Sequence, residues 1–196
     1  MKNNNIITTI REFAIKNTLN DDIHGFPHVK RVLNLCLYIG INLNANLNVL
    51  QIATLLHDIG RLKENGPISK PNHSEISANL ASDFLNSSYF KFSKNDLENI
   101  IHCIKAHSFS SKITPHTLEA KILSDADKLD AIGAIGLYRT IAYTLKNRGN
   151  LNDVIKHLEE KILKIKDILF LDISNEIAEK RYKIIEDFYE EIKEEI

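Results

Sequence analysis

The sequence predicts an all-α protein of one domain, built from about eight or nine helices. Three observations carry that reading. Apolar residues recur with a 3.6-residue rhythm along nearly the whole chain. Glycine (7) and proline (4) are scarce and clustered, so little punctuates that rhythm. No run alternates apolar and polar residues as a half-buried strand would. A length of 196 residues is enough for one well-buried core. The domain is expected to span 1–196, with its core at about 20–145 and C-terminal helices at 150–196 packed on it.

The helices fall in order at roughly 5–18, 28–42, 46–58, 73–86, 94–107, 116–130, 131–147, 151–168 and 174–194. The first is amphipathic and carries Arg11, Glu12 and Lys16. The second presents Val32, Leu35 and Ile39 behind His28, and the third presents Leu50 and Ala53 ahead of His57. In the fourth, His73 shares a face with Ile76, Leu80 and Phe84. The fifth buries Leu97, Ile100, Ile101 and Ile104 and ends at His107. The last has Ile177, Ile184, Ile185, Phe188 and Ile192 on one stripe; it packs on the core or on a partner subunit, so a homodimer is compatible with the sequence.

Bulk properties exclude several classes of function. The net charge of −1 argues against a stable nucleic-acid complex formed by broad phosphate neutralisation, although a local basic cluster could hold one nucleotide. No segment approaches ~18 uninterrupted apolar residues, so no membrane span is expected. The start, Met1 to Asn5, leads into an amphipathic stretch without a signal-peptide core. Cys36 and Cys103 lie on apolar helical faces and read as two buried thiols, so a cytoplasmic protein is expected.

Two loops stand out between the helices. Residues 59–72 read IGRLKENGPISKPN and hold two prolines and three basic side chains; residues 108–115 read SFSSKITP. Loops placed by rigid helices commonly carry binding groups, though either could be a solvated connector.

The informative residues are polar side chains in register with the core. His57-Asp58 interrupts the run Leu55 to Gly60 at a helix end. A buried, unpaired carboxylate is costly, so Asp58 needs a cation, and the pair supplies ligand types suited to a divalent metal. His28 alone reads as a capping or surface residue; His73 or His107 alone reads as a hydrogen-bonded core histidine. Asp125, Asp127 and Asp130 cannot all cap one helix. A core-facing Asp127 needs a cation, whereas Asp125 and Asp130 can serve as cap, supporting group or ion-pair partner. His102, His116 and His157 read as surface residues, as does His24 just ahead of the first site helix. Several inward polar residues, each near the end of its own helix, make a metal site the economical explanation.

The order His28, His57-Asp58, Asp127 resembles the H…HD…D pattern of the HD-domain superfamily, helical metal-dependent phosphohydrolases. The flanks GFPHVKRV at 25–32, LLHDIGR at 55–61 and TLEAKILSDADKLDAIGAIGLYR at 117–139 strengthen the resemblance, which covers roughly 20–145. It implies an HD-domain bundle with His28, His57, Asp58 and Asp127 as metal ligands. Asp127 is chosen over Asp125 because its Ala-Asp-Lys-Leu setting is similar to the family's Ala-Asp-Arg-Leu. His73 and His107 resemble two further histidines of two-metal HD phosphodiesterases, but Ser108 stands where those enzymes have another histidine. One tightly held ion is therefore expected, with Asp58, His73 and His107 as the catalytic groups. Arg61, Leu62 and Lys63 occupy the stretch where (p)ppGpp hydrolases place an acidic pair, which counts against that substrate.

The implied reaction is hydrolysis of a nucleotide phosphomonoester or a (d)NTP pyrophosphate bond through a metal-activated water. Arg31, Arg61, Lys63 and Lys128 are the expected phosphate-binding cations. Mn²⁺ is the expected ion, with Fe²⁺, Co²⁺, Ni²⁺ or Mg²⁺ as alternatives, because several imidazoles favour a transition metal. The alternatives are a phosphodiesterase acting on cyclic or linear oligonucleotides, a di-iron oxygenase, and a non-catalytic metal-stabilised binding module.

Overall fold

Local side-chain caps at Asn46, Ser93 and Asn150 each start a helix. The computed structural model describes residues 2–64, 71–87, 90–108 and 111–196; residues 65–70 of the first notable loop and 109–110 of the second lie outside the described residues. Among the described residues there are nine α-helices and no strand. The predicted all-α class is the observed one. The chain forms two compact units, Met1–Ser124 and Asp125–Ile196.

The first unit contains α1 (Lys2–Lys16), α2 (Phe26–Asn42), α3 (Leu47–Leu56), a 3-10 turn (Arg61–Lys63), α4 (His73–Ser87), α5 (Lys94–Ala106) and the first part of α6 (Leu118–Leu129). Its centre is α3, which contacts α1, α2, α4 and α5. The sequence explains that position. Val49, Leu50, Ile52, Ala53, Thr54, Leu55 and Leu56 are all buried, and a helix apolar all round belongs inside. Each fully buried Leu or Ile contributes roughly 1.5–3 kcal/mol. Asn46 starts α3 by accepting from the N–H groups of Asn48 and Val49. Cys36 and Cys103 are buried and not joined in a disulfide, and burial pushes the Cys103 thiol up, as inert core thiols require.

The second unit holds the end of α6, then α7 (Gly133–Lys146), α8 (Leu151–Glu160), a 3-10 segment (Ile162–Ile168) and α9 (Asp172–Glu194). Its aspartates have identifiable partners. Asp125 accepts from the N–H groups of Phe170 (3.0 Å) and Leu171 (3.0 Å), which sets the start of α9. Asp130 Oδ2 accepts from Arg139 Nη1 at 2.7 Å, a buried pair that ties α6 to α7. Gly133 opens α7 with φ +78, a conformation that strains any residue with a side chain, and the Arg181 side chain packs against it.

Two expectations are corrected. The helix predicted at 151–168 breaks at Lys161 (φ −130, ψ −57) and continues as the 3-10 segment. Buried Ile155, Leu158, Ile162 and Ile165 keep a spacing that either pitch satisfies, so periodicity could not reveal the break. On α9 the buried stripe is Ser174, Ala178, Tyr182 and Ile185, and Ile184 is 45% exposed.

Between α3 and α4 the chain turns through Asp58-Ile59-Gly60. The Gly60 N–H donates to Ser77 Oγ at 2.9 Å, and a Cβ there would lie 2.6 Å from both the His73 carbonyl oxygen and the Ser77 nitrogen. G60A is therefore expected to lift the 3-10 turn off α4 and destabilise the protein by about 1–3 kcal/mol. The check is a lowered urea midpoint at unchanged m-value.

Candidate metal centre

Four histidines sit at helix ends, and local structure fixes how each is presented. His28 lies at the start of α2. The turn before it is held by Asp21 Oδ1, which accepts from the N–H groups of Ile23 (3.0 Å), His24 (2.8 Å) and Gly25 (3.2 Å). His57 and His107 are the C-caps of α3 and α5. Each places Nδ1 2.7 Å from the carbonyl three residues back, Thr54 and Ile104 respectively. A carbonyl can only accept, so Nδ1 carries the proton and Nε2 presents its lone pair. His73 opens α4, and its Nδ1 lies 3.3 Å from Glu64 Oε1.

All four Nε2 atoms converge on one carboxylate. Asp58 Oδ2 lies 3.7 Å from His28 Nε2 and 3.7 Å from His57 Nε2, and those two nitrogens are 3.4 Å apart. Asp58 Oδ1 lies 3.6 Å from His107 Nε2 and 3.7 Å from His73 Nε2. These carboxylate–imidazole separations are beyond hydrogen-bond range. They suit donors gathered around an ion: bonds of about 2.1 Å place neighbouring ligand atoms about 3–3.5 Å apart, as the His28 and His57 nitrogens are, and the carboxylate distances are slightly longer. Asp58 Oδ1 and His107 Nε2 are buried and make no hydrogen bond, as suits donors that face an ion. Two trios result, His28–His57–Asp58 and Asp58–His73–His107, all buried and sharing the carboxylate. Neutral imidazoles plus one carboxylate are a donor set that fits a divalent cation. His73 and His107, expected beside the ion, thus face Asp58 Oδ1 just as the first pair faces Oδ2.

The electrostatics explain how Asp58 stays ionised. Burial pushes its carboxyl up, but its neighbours, the Arg61 guanidinium foremost, outweigh burial and hold it well below the usual carboxylate range. Arg61 Nε donates to Asp58 Oδ2. The guanidinium expected at a phosphate thus lies against the carboxylate from the next turn of chain.

The other predicted residues are placed differently. Arg31 Nη2 donates to the Asp22 carbonyl at 3.5 Å, and Lys63 is exposed on the 3-10 turn. Asp127 is half-buried in α6, less so than Asp125 and Asp130 on either side. Lys128 is buried beside Asp125 and Asp127 with Nζ 5.3 Å from the Phe170 ring centroid, and burial pushes its pKa down. His102 accepts from the His116 N–H at 3.1 Å, so it serves the loop before α6. Two residues near the cluster escaped sequence reasoning. Glu64 had no local signal, because its partner is nine residues away. His24, whose ring centroid is 6.4 Å from that of His28, was signalled only by its place ahead of the motif.

Two outcomes follow from this geometry. Mn²⁺ at about 100 times its Kd is expected to stabilise the protein by about 2.7 kcal/mol, or roughly 5–10 °C in Tm by scanning calorimetry, and H57A should abolish the shift. The second concerns acid. The folded pKa of Asp58 lies below its unfolded value near 4, so its stabilisation is complete above the unfolded value and lost as pH falls through the folded one. D58N should melt below wild type at pH 7, and the gap should narrow towards pH 3.

A family model for the HD domain matches residues 25–132. The Bacillus subtilis (strain 168) protein YpgQ, described as uncharacterized, is 31% identical over 181 residues, covering 88% of this chain and 84% of its own. The crystal structure of B. subtilis YpgQ in complex with ADP superposes with a TM-score of 0.77 at 26% identity, covering 100% of this chain and 97% of that one. An HD-superfamily hydrolase from Bacillus thuringiensis gives a TM-score of 0.72 at 25% identity, covering 98% and 97%. The matched span holds every member of the two trios, and over that span the chain belongs to the HD-domain superfamily.

Proposed function

We propose that this protein hydrolyses a nucleotide phosphate, either a phosphomonoester or a (d)NTP pyrophosphate bond, with a divalent transition metal held by His28, His57, Asp58 and Asp127. The observation that carries this reading is the buried Asp58 carboxylate facing imidazole nitrogens at 3.6–3.7 Å with no hydrogen bond to Oδ1. Asp127 enters as fourth ligand on the H…HD…D order of the sequence. That a relative, YpgQ, was crystallised with ADP supports a nucleotide as ligand.

A bound ion would supply Lewis acidity, bringing water towards a neutral pKa and neutralising charge on phosphoryl oxygens. The chain's own groups do the rest. Asp58 accepts a hydrogen bond from the attacking water and orients it. His73 or His107, carrying a proton on Nε2 as well as Nδ1, delivers the Nε2 proton to the leaving oxygen. Arg61, adjacent to Asp58, binds a phosphate oxygen, and Arg31, Lys63 and Lys128 are the further cations proposed for the phosphate chain.

A second reading has its own support. The Asp58–His73–His107 trio has the same donor types as the first and similar distances to Asp58, 3.6–3.7 Å, which favours a two-metal phosphodiesterase. Metal count separates the two readings.

The test is metal analysis followed by a nucleotide panel that resolves phosphate from pyrophosphate release. One tight metal per chain with nucleotide hydrolysis is expected; two tight metals with diesterase activity would favour the second reading. D58A and D127A should each lower kcat by roughly 100-fold or more, since even outer partners of a metal site cost 10–100-fold. Activity that survives both substitutions overturns the mechanism.

A further inference from the structure

The four histidines around Asp58 are oriented by two different means. His57 and His107 end their helices, so the carbonyl three residues back takes the Nδ1 proton, at 2.7 Å in both. His73 begins α4. A residue at that position has no preceding helical turn to donate to. Its orienting partner is instead Glu64, whose Oε1 lies 3.3 Å from His73 Nδ1 and accepts the His73 backbone N–H at 3.1 Å. One carboxylate oxygen therefore caps the helix and holds the ring.

A carboxylate accepts and does not donate, so this contact places the proton on Nδ1 and leaves Nε2 facing Asp58 Oδ1 at 3.7 Å. That is the tautomer which backbone carbonyls impose on His57 and His107. Glu64 is well placed for the task. It follows the 3-10 turn that carries Arg61 onto Asp58, and Gly60 ahead of that turn is seated on α4. The segment 60–64 thus holds both sides of the cluster from one strip of chain.

We propose that Glu64 is a positioning residue for His73, fixing its ring and tautomer so that Nε2 is the working atom of the site. The role rests on the proposed metal-dependent hydrolysis, and it holds whether His73 serves as ligand or as proton donor. Carboxylate–histidine pairing of this kind is a general way to orient an imidazole beside a metal.

The test has two arms. Long-range ¹H–¹⁵N spectra of the metal-free protein, with His73 assigned through H73Q, should show the Nδ1–H tautomer in wild type. E64A should give a mixture, and E64Q, which keeps an acceptor oxygen, should restore Nδ1–H. In Mn²⁺-loaded protein assayed on a nucleotide, E64A should lower kcat about 10–100-fold with KM within about threefold, and E64Q should recover most of that loss. The proposal is overturned if His73 keeps Nδ1–H in E64A. It is equally overturned if E64A and E64Q lose activity alike in step with Tm, because Glu64 would then be a helix cap only. A wild-type protein that hydrolyses nothing would overturn the functional reading, and the tautomer arm would still decide on Glu64.

Discussion

Asp58 is a carboxylate that the fold removes from water, and much of the first unit is arranged around that cost. Left alone, a buried carboxylate is destabilising by several kcal/mol or takes up a proton. Here Arg61 bonds one oxygen and is foremost among the neighbours that favour the ionised form despite burial. Meeting that requirement brings together the start of α2, the end of α3, the start of α4 and the end of α5. Helix ends suit the purpose because their backbone groups lack intrahelical partners and can orient side chains. The 2.7 Å contacts of His57 and His107 to their own helix carbonyls are direct instances.

The scaffold makes this convergence affordable. A central helix buried on nearly every face, α3, fixes where His57 and Asp58 emerge. The tight approach of Gly60 to α4 then sets the path of the segment that returns Arg61 and Glu64 to the cluster. Within the second unit, Asp125 and Asp130 have structural roles, one at the start of α9 and the other against Arg139. Those are the cap and ion-pair roles that the spacing of the three aspartates left open, and Asp127 is the half-buried one between them. Bound metal would weaken the need for Arg61 on Asp58 Oδ2, which is why Arg61 is the first cation proposed for a phosphate oxygen.

By itself the sequence determined the helical class, the approximate bounds of most helices and the residues of the first trio. It could do so because periodicity and capping are local, and because His28 and His57-Asp58 stand in a recognisable order with distinctive flanks. Only the tertiary structure decided that His73 and His107 face the second oxygen of Asp58, that Arg61 lies on that carboxylate, and that Glu64 orients His73. It also decided where α8 ends, since the apolar spacing is common to both helical pitches. For His73, His107 and Glu64 the physical reason is that such pairing depends on which helix ends meet in space, which the neighbouring residues of the chain do not encode. Arg61, three residues from Asp58, reaches it through the turn between them, which the apolar pattern does not reveal.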